Sequence, residues 1–268
     1  MKLILVIKIK MKKLILILII AFPTILVGQD ICHWFPEKCQ HLSNETPKSK
    51  IALVIGNTNY DDDKLDLKNP TNDANLISES FKKLDFNVIL KENLNQEQFL
   101  DVLEEFKEKQ DEYDFSIIYY AGHAIQDENG NSYILPVDFS NTEQIEDAAF
   151  NISKLLNYFE NSEKKCLLIL DACRNTGNNG LPKPSIQDPI NVKLPYSTSF
   201  GKTASDEPDL ENTIYTSYLS KLFLIEGLSI YDILHNASKK VLSKTDKQQY
   251  PVDYFGISIE DIQLTNSK

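Results

Sequence analysis

Apolar runs and polar breaks alternate along most of the chain. Residues 51–55 are continuously apolar and end at Gly56, the pattern of a strand buried on both faces. Residues 72–84 then change to a helical period, with Ala74, Ile77, Phe81 and Leu84 on one side. A second strand is predicted over 86–90 and a second helix over 96–109, with Phe99, Leu103 and Phe106 on its apolar face. The apolar stretch 115–120 reads as a third strand ending at Gly122 and His123. Residues 132–137 read as a short extended piece and 152–159 as a helix. A fourth strand over 166–170 runs into Asp171, Ala172 and Cys173. Residues 174–193 hold Gly177, Gly180, Pro182, Pro184 and Pro189 with few apolar positions, which predicts a long loop. A fifth strand is expected over 196–200, and helices over 214–224 and 230–242. Strands alternating with helices imply an α/β fold, a mostly parallel central sheet with helices on both faces.

The first residues obey a different rule. Lys12 and Lys13 precede an apolar run over 14–27, broken at Pro23, and Gly28 and Gln29 open a polar segment. Basic, apolar and small residues in that order read as a secretory signal peptide over residues 1–28, with translation starting at Met11. The run is short for a membrane span, which needs roughly 20 apolar residues. An uncleaved anchor is the alternative; the expectation is an exported protein, periplasmic or secreted, without stable membrane insertion. Residues 29–49 form a Cys-containing linker, and 50–262 the folded domain. Cys32 and Cys39 suit a disulfide in an oxidising compartment; His33 and His41 beside them leave a metal reading open. The formal net charge of −11 argues against nucleic acid as a partner.

Chemistry gathers at two strand ends. Tyr120, Ala121, Gly122 and His123 close one strand, and Asp171, Ala172 and Cys173 close another. In α/β sheets ligands bind at the carboxyl ends of strands. If those strands are neighbours, an imidazole and a thiol meet there. The imidazole takes the thiol proton and later returns it to a leaving amine. Singly, His123 reads equally as a structural histidine and Cys173 as a small buried apolar residue. Cys166 lies inside an apolar run and reads as an inert core thiol.

These residues resemble the caspase and metacaspase superfamily of cysteine peptidases. His123 precedes Cys173 by 50 residues, the interval caspases show. Residues 57–60, 69–74, 120–123, 133–138 and 171–175 are similar to motifs of its bacterial branch, and 199–206 and 212–219 to its C-terminal region. The resemblance implies a caspase-like three-layer sandwich and an endopeptidase with a Cys173–His123 dyad. The backbone N–H groups of Gly122 and Cys173 are then its oxyanion donors. Metacaspases carry Asp two residues before the nucleophile and accept Lys or Arg at P1; Asp171 stands there, so the implied partners are proteins or peptides with basic P1 residues. Asp73 and Ala121 are implied in the same pocket, with Asp206 as a third acidic candidate. Read from the residues alone, Asp73 also suits a helix N-cap and Asp171 a strand-end turn. Ala124 follows His123 where the family usually has Gly. A basic preference makes Lys193, followed by Leu194, the self-cleavage candidate, since Pro184 follows Lys183. No cofactor or metal site is expected, although calcium activates many metacaspases and Asp61, Asp62 and Asp63 are acidic. A catalytically inactive scaffold with the same fold is the alternative function. A flavodoxin-like nucleotide binder is disfavoured, because Gly56, Asn57 and Thr58 lack a G-x-G-x-x-G loop.

The exported chain is expected to begin near Gln29 with Cys32 and Cys39 linked. Non-reducing mass spectrometry reads both; an intact Met11 terminus, or two free thiols, contradicts the respective expectation.

Overall fold

A computed structural model describes residues 46–127, 131–140, 144–160, 164–172, 191–198, 210–254 and 256–265. Cys32, Cys39, Cys173, Arg174, Lys183 and Asp206 lie outside these residues, as does the segment read as a signal peptide.

The strands are β1 (Lys50–Gly56), β2 (Asn87–Glu92), β3 (Phe115–Gly122), β4 (Ala124–Gln126), β5 (Ser132–Ile134), β6 (Phe150–Asn151), β7 (Lys165–Ala172), β8 (Val192–Tyr196) and β9 (Val252–Tyr254). The helices are α1 (Pro70–Lys82), α2 (Gln96–Gln110), α3 (Ile145–Ala148), α4 (Ile152–Glu160), α5 (Ile214–Phe223) and α6 (Ile230–Lys244). Six strands form one sheet in the order β2-β1-β3-β7-β8-β9. The first five are mutually parallel and β9 is antiparallel to β8. Strands β4, β5 and β6 form a small separate antiparallel sheet.

Alternate residues of each central strand serve opposite helical layers. Ala52, Val54, Ile117, Tyr119, Leu167 and Ile169 pack in one core with residues of α1, α5 and α6. Ile51, Leu53, Ile55, Ile118, Tyr120 and Leu168 pack in the other with residues of α2 and α4. All seven residues of β1 and all eight of β3 are buried. Each large apolar side chain so placed contributes about 1.5–3 kcal/mol. This is the three-layer α/β architecture that the alternating pattern implied.

Local chemistry sets the helix starts. Helix α1 begins at Pro70, whose missing N–H is no loss at the first helical position, with Asn69 as N-cap. Asp73 is therefore not a cap but lies inside the first turn. Capping boxes start α2 (Asn95 with Gln98) and α6 (Ser229 with Asp232).

The fifth strand departs from expectation. It occupies Val192–Tyr196, not 196–200, so the loop reading ran too far. Lys193 and Pro195 hide the strand pattern that Val192, Leu194 and Tyr196 make. Lys193 is 2% exposed, and its Nζ lies 2.7 Å from Asp253 Oδ2 and 2.8 Å from Glu260 Oε1. A lysine can be buried when carboxylates replace its water. Lys193 is thus not an accessible self-cleavage site: a peptidase needs an extended free segment, and this residue sits within a paired strand. The small antiparallel sheet and β9 were also unanticipated, except for the extended piece around β5.

Gly56 ends β1 against α1. A Cβ there would lie 2.4 Å from the Pro70 carbonyl oxygen and 2.9 Å from Ala74 Cβ, so backbone must move. Gly56→Ala is expected to destabilise the fold by about 1–3 kcal/mol. Thermal unfolding checks this, and an unchanged melting temperature would refute the close-packing argument.

Candidate active site

The two strands carrying the chemistry are neighbours. Strand β3 pairs with β7 in parallel, with Ala121 opposite Asp171 and Gly122 opposite Ala172. His123 directly follows the first of these ends, and Cys173 directly follows the second in sequence. Gly122 has φ of 155°, and a Cβ on it would lie 2.4 Å from Tyr120 Oη and 3.1 Å from Tyr60 Oη. Only glycine fits between the two phenols. Ala121 is buried, and its carbonyl accepts a hydrogen bond from the Asn57 N–H at 2.9 Å.

His123 is half-buried and held from several sides. Its N–H donates to Tyr60 Oη at 3.0 Å. Its carbonyl accepts from Tyr120 Oη at 2.9 Å and from the Leu135 N–H at 3.0 Å. The ring Nε2 lies 2.8 Å from the Leu65 carbonyl oxygen. A carbonyl can only accept, so Nε2 carries the proton and Nδ1 is the basic nitrogen of the neutral ring. The Tyr60 ring leans on the imidazole, with centroids 5.0 Å apart at 58°. Tyr60 and Leu65 both come from the loop after β1. That loop is pinned by Asn93 Oδ1, which accepts the N–H groups of Thr58 and Asn59, and by Asp66 Oδ1, which accepts that of Tyr60. Ala124 begins β4 in extended backbone, so the glycine usual after the histidine is not required for conformation.

Beside this end of the sheet two acids are buried together. Asp171 is 5% exposed and Asp73 fully buried. Thr213 joins them: its N–H donates to Asp73 Oδ1 at 3.0 Å, and its hydroxyl to Asp171 Oδ2 at 2.6 Å. Thr216 Oγ1 donates to Asp171 Oδ2 at 2.7 Å, and Tyr119 Oη lies 3.4 Å from the same oxygen. Asn212 Nδ2 donates to Asp73 Oδ1 at 3.0 Å. The other oxygens, Asp73 Oδ2 and Asp171 Oδ1, are buried without a hydrogen-bond partner among the described residues. The start of α1 favours a carboxylate electrostatically. Burial first, and the Asp171 charge second, nevertheless push the Asp73 carboxyl up to about 8. Desolvation and the same two acids hold the Tyr119 phenol far above its ordinary range.

Of the residues singled out in the sequence, His123, Gly122, Ala121 and Asp171 thus come together at adjoining strand ends, and Asp73 joins Asp171 through Thr213. Tyr60, Leu65, Asn212, Thr213 and Thr216 were not anticipated. A backbone carbonyl has no sequence signature, and the Thr-x-x-Thr spacing at 213–216 reads only as a helix cap, which Thr213 also is. Cys166 is fully buried, its thiol pushed up to about 12 by desolvation, and is chemically inert. Asp62 Oδ1 caps the N–H of Lys64, and among the described residues no three or more His, Cys, Asp or Glu side chains converge.

A model of the caspase-domain family matches residues 49–257. The chain belongs to the caspase family of cysteine peptidases. It is 30% identical over 182 residues to the human mucosa-associated lymphoid tissue lymphoma translocation protein 1, covering 66% of this chain and 22% of that protein. It is 27% identical over 186 residues to a paracaspase of Dictyostelium discoideum, covering 64% of this chain and 43% of that one. The chain therefore spans less than half the length of these relatives. The Drosophila initiator caspase Dronc superposes with a TM-score of 0.62 at 14% identity, covering 81% of this chain and 85% of that one. Caspase-1 from Spodoptera frugiperda superposes with a TM-score of 0.65 at 17% identity, covering 84% and 93%. These two structures share the fold.

Tyr60→Phe keeps the ring against His123 but removes the acceptor of its N–H. A loss of about 1–3 kcal/mol of stability is expected from the unpaired amide. Turnover should fall with KM unchanged, because the imidazole loses one anchor. Melting curves and steady-state kinetics test both; a variant identical to the parent in both would remove Tyr60 from the site.

Proposed function

We propose that the chain is an exported cysteine endopeptidase that cleaves after Lys or Arg, with Cys173 as nucleophile and His123 as its proton-transfer partner. The observation that carries the specificity is the buried pair Asp73 and Asp171, each with an oxygen that has no hydrogen-bond partner among the described residues. Unsatisfied carboxylate oxygens in a desolvated site favour a cation and reject an anion. The dyad is supported by the adjoining ends of β3 and β7 and by the tautomer that the Leu65 carbonyl selects.

In this mechanism His123 Nδ1 takes the Cys173 thiol proton, and the thiolate attacks the carbonyl carbon after the P1 residue. The developing oxyanion is met by backbone N–H groups, for which Gly122 and Cys173 are the candidates. The protonated imidazole gives its proton to the leaving amine, and an acyl-thioester remains. His123 then activates water, which hydrolyses the thioester and restores the thiol. Asp171 and Asp73 orient the substrate through its P1 cation and take no part in bond making.

Cys173→Ala and His123→Ala should abolish cleavage with folding kept. Asp171→Ala should lower kcat/KM on Lys and Arg peptides by about 2–5 kcal/mol, or roughly 30- to 5,000-fold, without creating activity on Asp peptides. Peptides with a reporter amide after Lys, Arg or Asp measure each case. Efficient cleavage after Asp by the parent protein would overturn the basic pocket. A correctly folded parent inert on every peptide would leave the scaffold reading.

A further inference from the structure

Asp73 and Asp171 are an unusual pair of neighbours. They come from α1 and β7, far apart in sequence, and are joined by the single residue Thr213. Their hydrogen-bond partners differ in kind. Asp171 Oδ2 is surrounded by the hydroxyls of Thr213, Thr216 and Tyr119. Asp73 Oδ1 accepts two amide N–H groups, from Asn212 and Thr213. Each acid keeps one buried oxygen with no hydrogen-bond partner among the described residues.

Among the described residues, the titratable groups facing the pair are Tyr119 from β3 and Tyr215 from α5, besides the two acids themselves. None is a cation, and among the described residues neither acid makes an ion pair. Helix α1 contributes Asp73 alone, and β1 approaches α1 there through Gly56, which has no side chain. Two carboxylates sharing a dry site, with no counter-charge among the described residues, oppose each other's ionisation, and burial and the Asp171 charge raise the Asp73 carboxyl.

We propose that before substrate binds the Asp73–Asp171 pair holds one proton, and that the cationic side chain of a Lys or Arg substrate binds by expelling that proton to solvent. This rests on the basic-P1 reading above and adds to it a proton-for-cation exchange. Before binding the pair is one carboxylic acid and one carboxylate, with net charge −1. Afterwards it is two carboxylates around one ammonium or guanidinium, and one H⁺ has left for each side chain bound. Asp73 is the acid that carries the proton, because its carboxyl is the one pushed up to about 8. Asp171 accepts from the hydroxyls of Thr213 and Thr216. Thr213 is a positioning residue, hydrogen-bonded to both acids at once.

The exchange sets the pH dependence. Below about pH 8 protons compete with substrate, so KM for basic peptides falls by about tenfold per pH unit as pH rises, and levels off above it. The proton is already gone from the bound complex, so this titration is absent from kcat. Asp73→Asn keeps an acceptor for Asn212 and Thr213 but has no proton to lose. Its KM should resemble that of the parent at low pH and stay flat.

The deciding measurement is calorimetric binding of a peptide ending in Arg amide to full-length Cys173→Ala protein, in two buffers of different ionisation enthalpy. At pH 6.5 about one proton should be released per peptide bound, and close to none at pH 9.5. Asp73→Asn in the same background should release none at either pH. Tight binding at pH 6.5 without proton release overturns the exchange but leaves the basic pocket standing. Preference for a peptide ending in Asp amide overturns the pocket, and the exchange with it. The proton count in the protein with both acids intact decides the matter even if Asp73→Asn does not fold.

Discussion

Strands β3 and β7 run side by side through the middle of the sheet, and their parallel register places two chain segments, 50 residues apart in sequence, at one edge. Parallel pairing brings like ends together, so the residues just beyond one strand emerge beside those just beyond the other. His123 leaves one end, and Asp171 stands in register with Ala121 on the other. The register is strongly specified, because a slip of one residue would turn Tyr119 and Ile169 from one helical layer to the opposite one. The packing of two cores therefore sets the geometry of the site.

The loop after β1 is the main support that aims the histidine. Tyr60 takes its backbone N–H and Leu65 its ring proton, while Asn93 and Asp66 hold the loop that carries them. Most of these contacts involve main-chain groups, whose positions are over-determined by neighbouring strands. Such a support tolerates changes of side chain at Leu65 but not a shift of the loop. Gly56 and Gly122 mark where the backbone passes too closely for any Cβ.

The acid pair beside it works against stability. Burying two acids disfavours the folded state, and among the described residues they meet no cation and their residual oxygens find no partner. Lys193 shows the opposite solution elsewhere in the same sheet: a buried cation answered by Asp253 and Glu260. One cluster is complete within the chain and holds β8 to the C-terminal segment. The other has no cation beside it among the described residues.

Strand and helix positions were readable from the sequence because burial imposes a local period, of two along strands and 3.6 along helices. The runs ending at Gly56, Gly122 and Ala172 are apolar for that reason alone, and His123 was conspicuous for standing just after one of them. Asp171 and Asp73 were legible only through resemblance; by themselves they read as a turn and a cap. Lys193 was misread because a lysine signals surface until its partners, some 60 and 67 residues further on, are known to stand beside it. Tyr60, Thr213 and Thr216 lie in segments that resemble the family's, but their contacts, like those of Leu65, could not be found in advance, since each acts through a neighbour that only the folded chain supplies. Periodicity is local and travels with the sequence. Charge compensation, tautomer choice and the pairing of buried acids depend on distances between remote residues, and those distances exist only once the sheet has assembled.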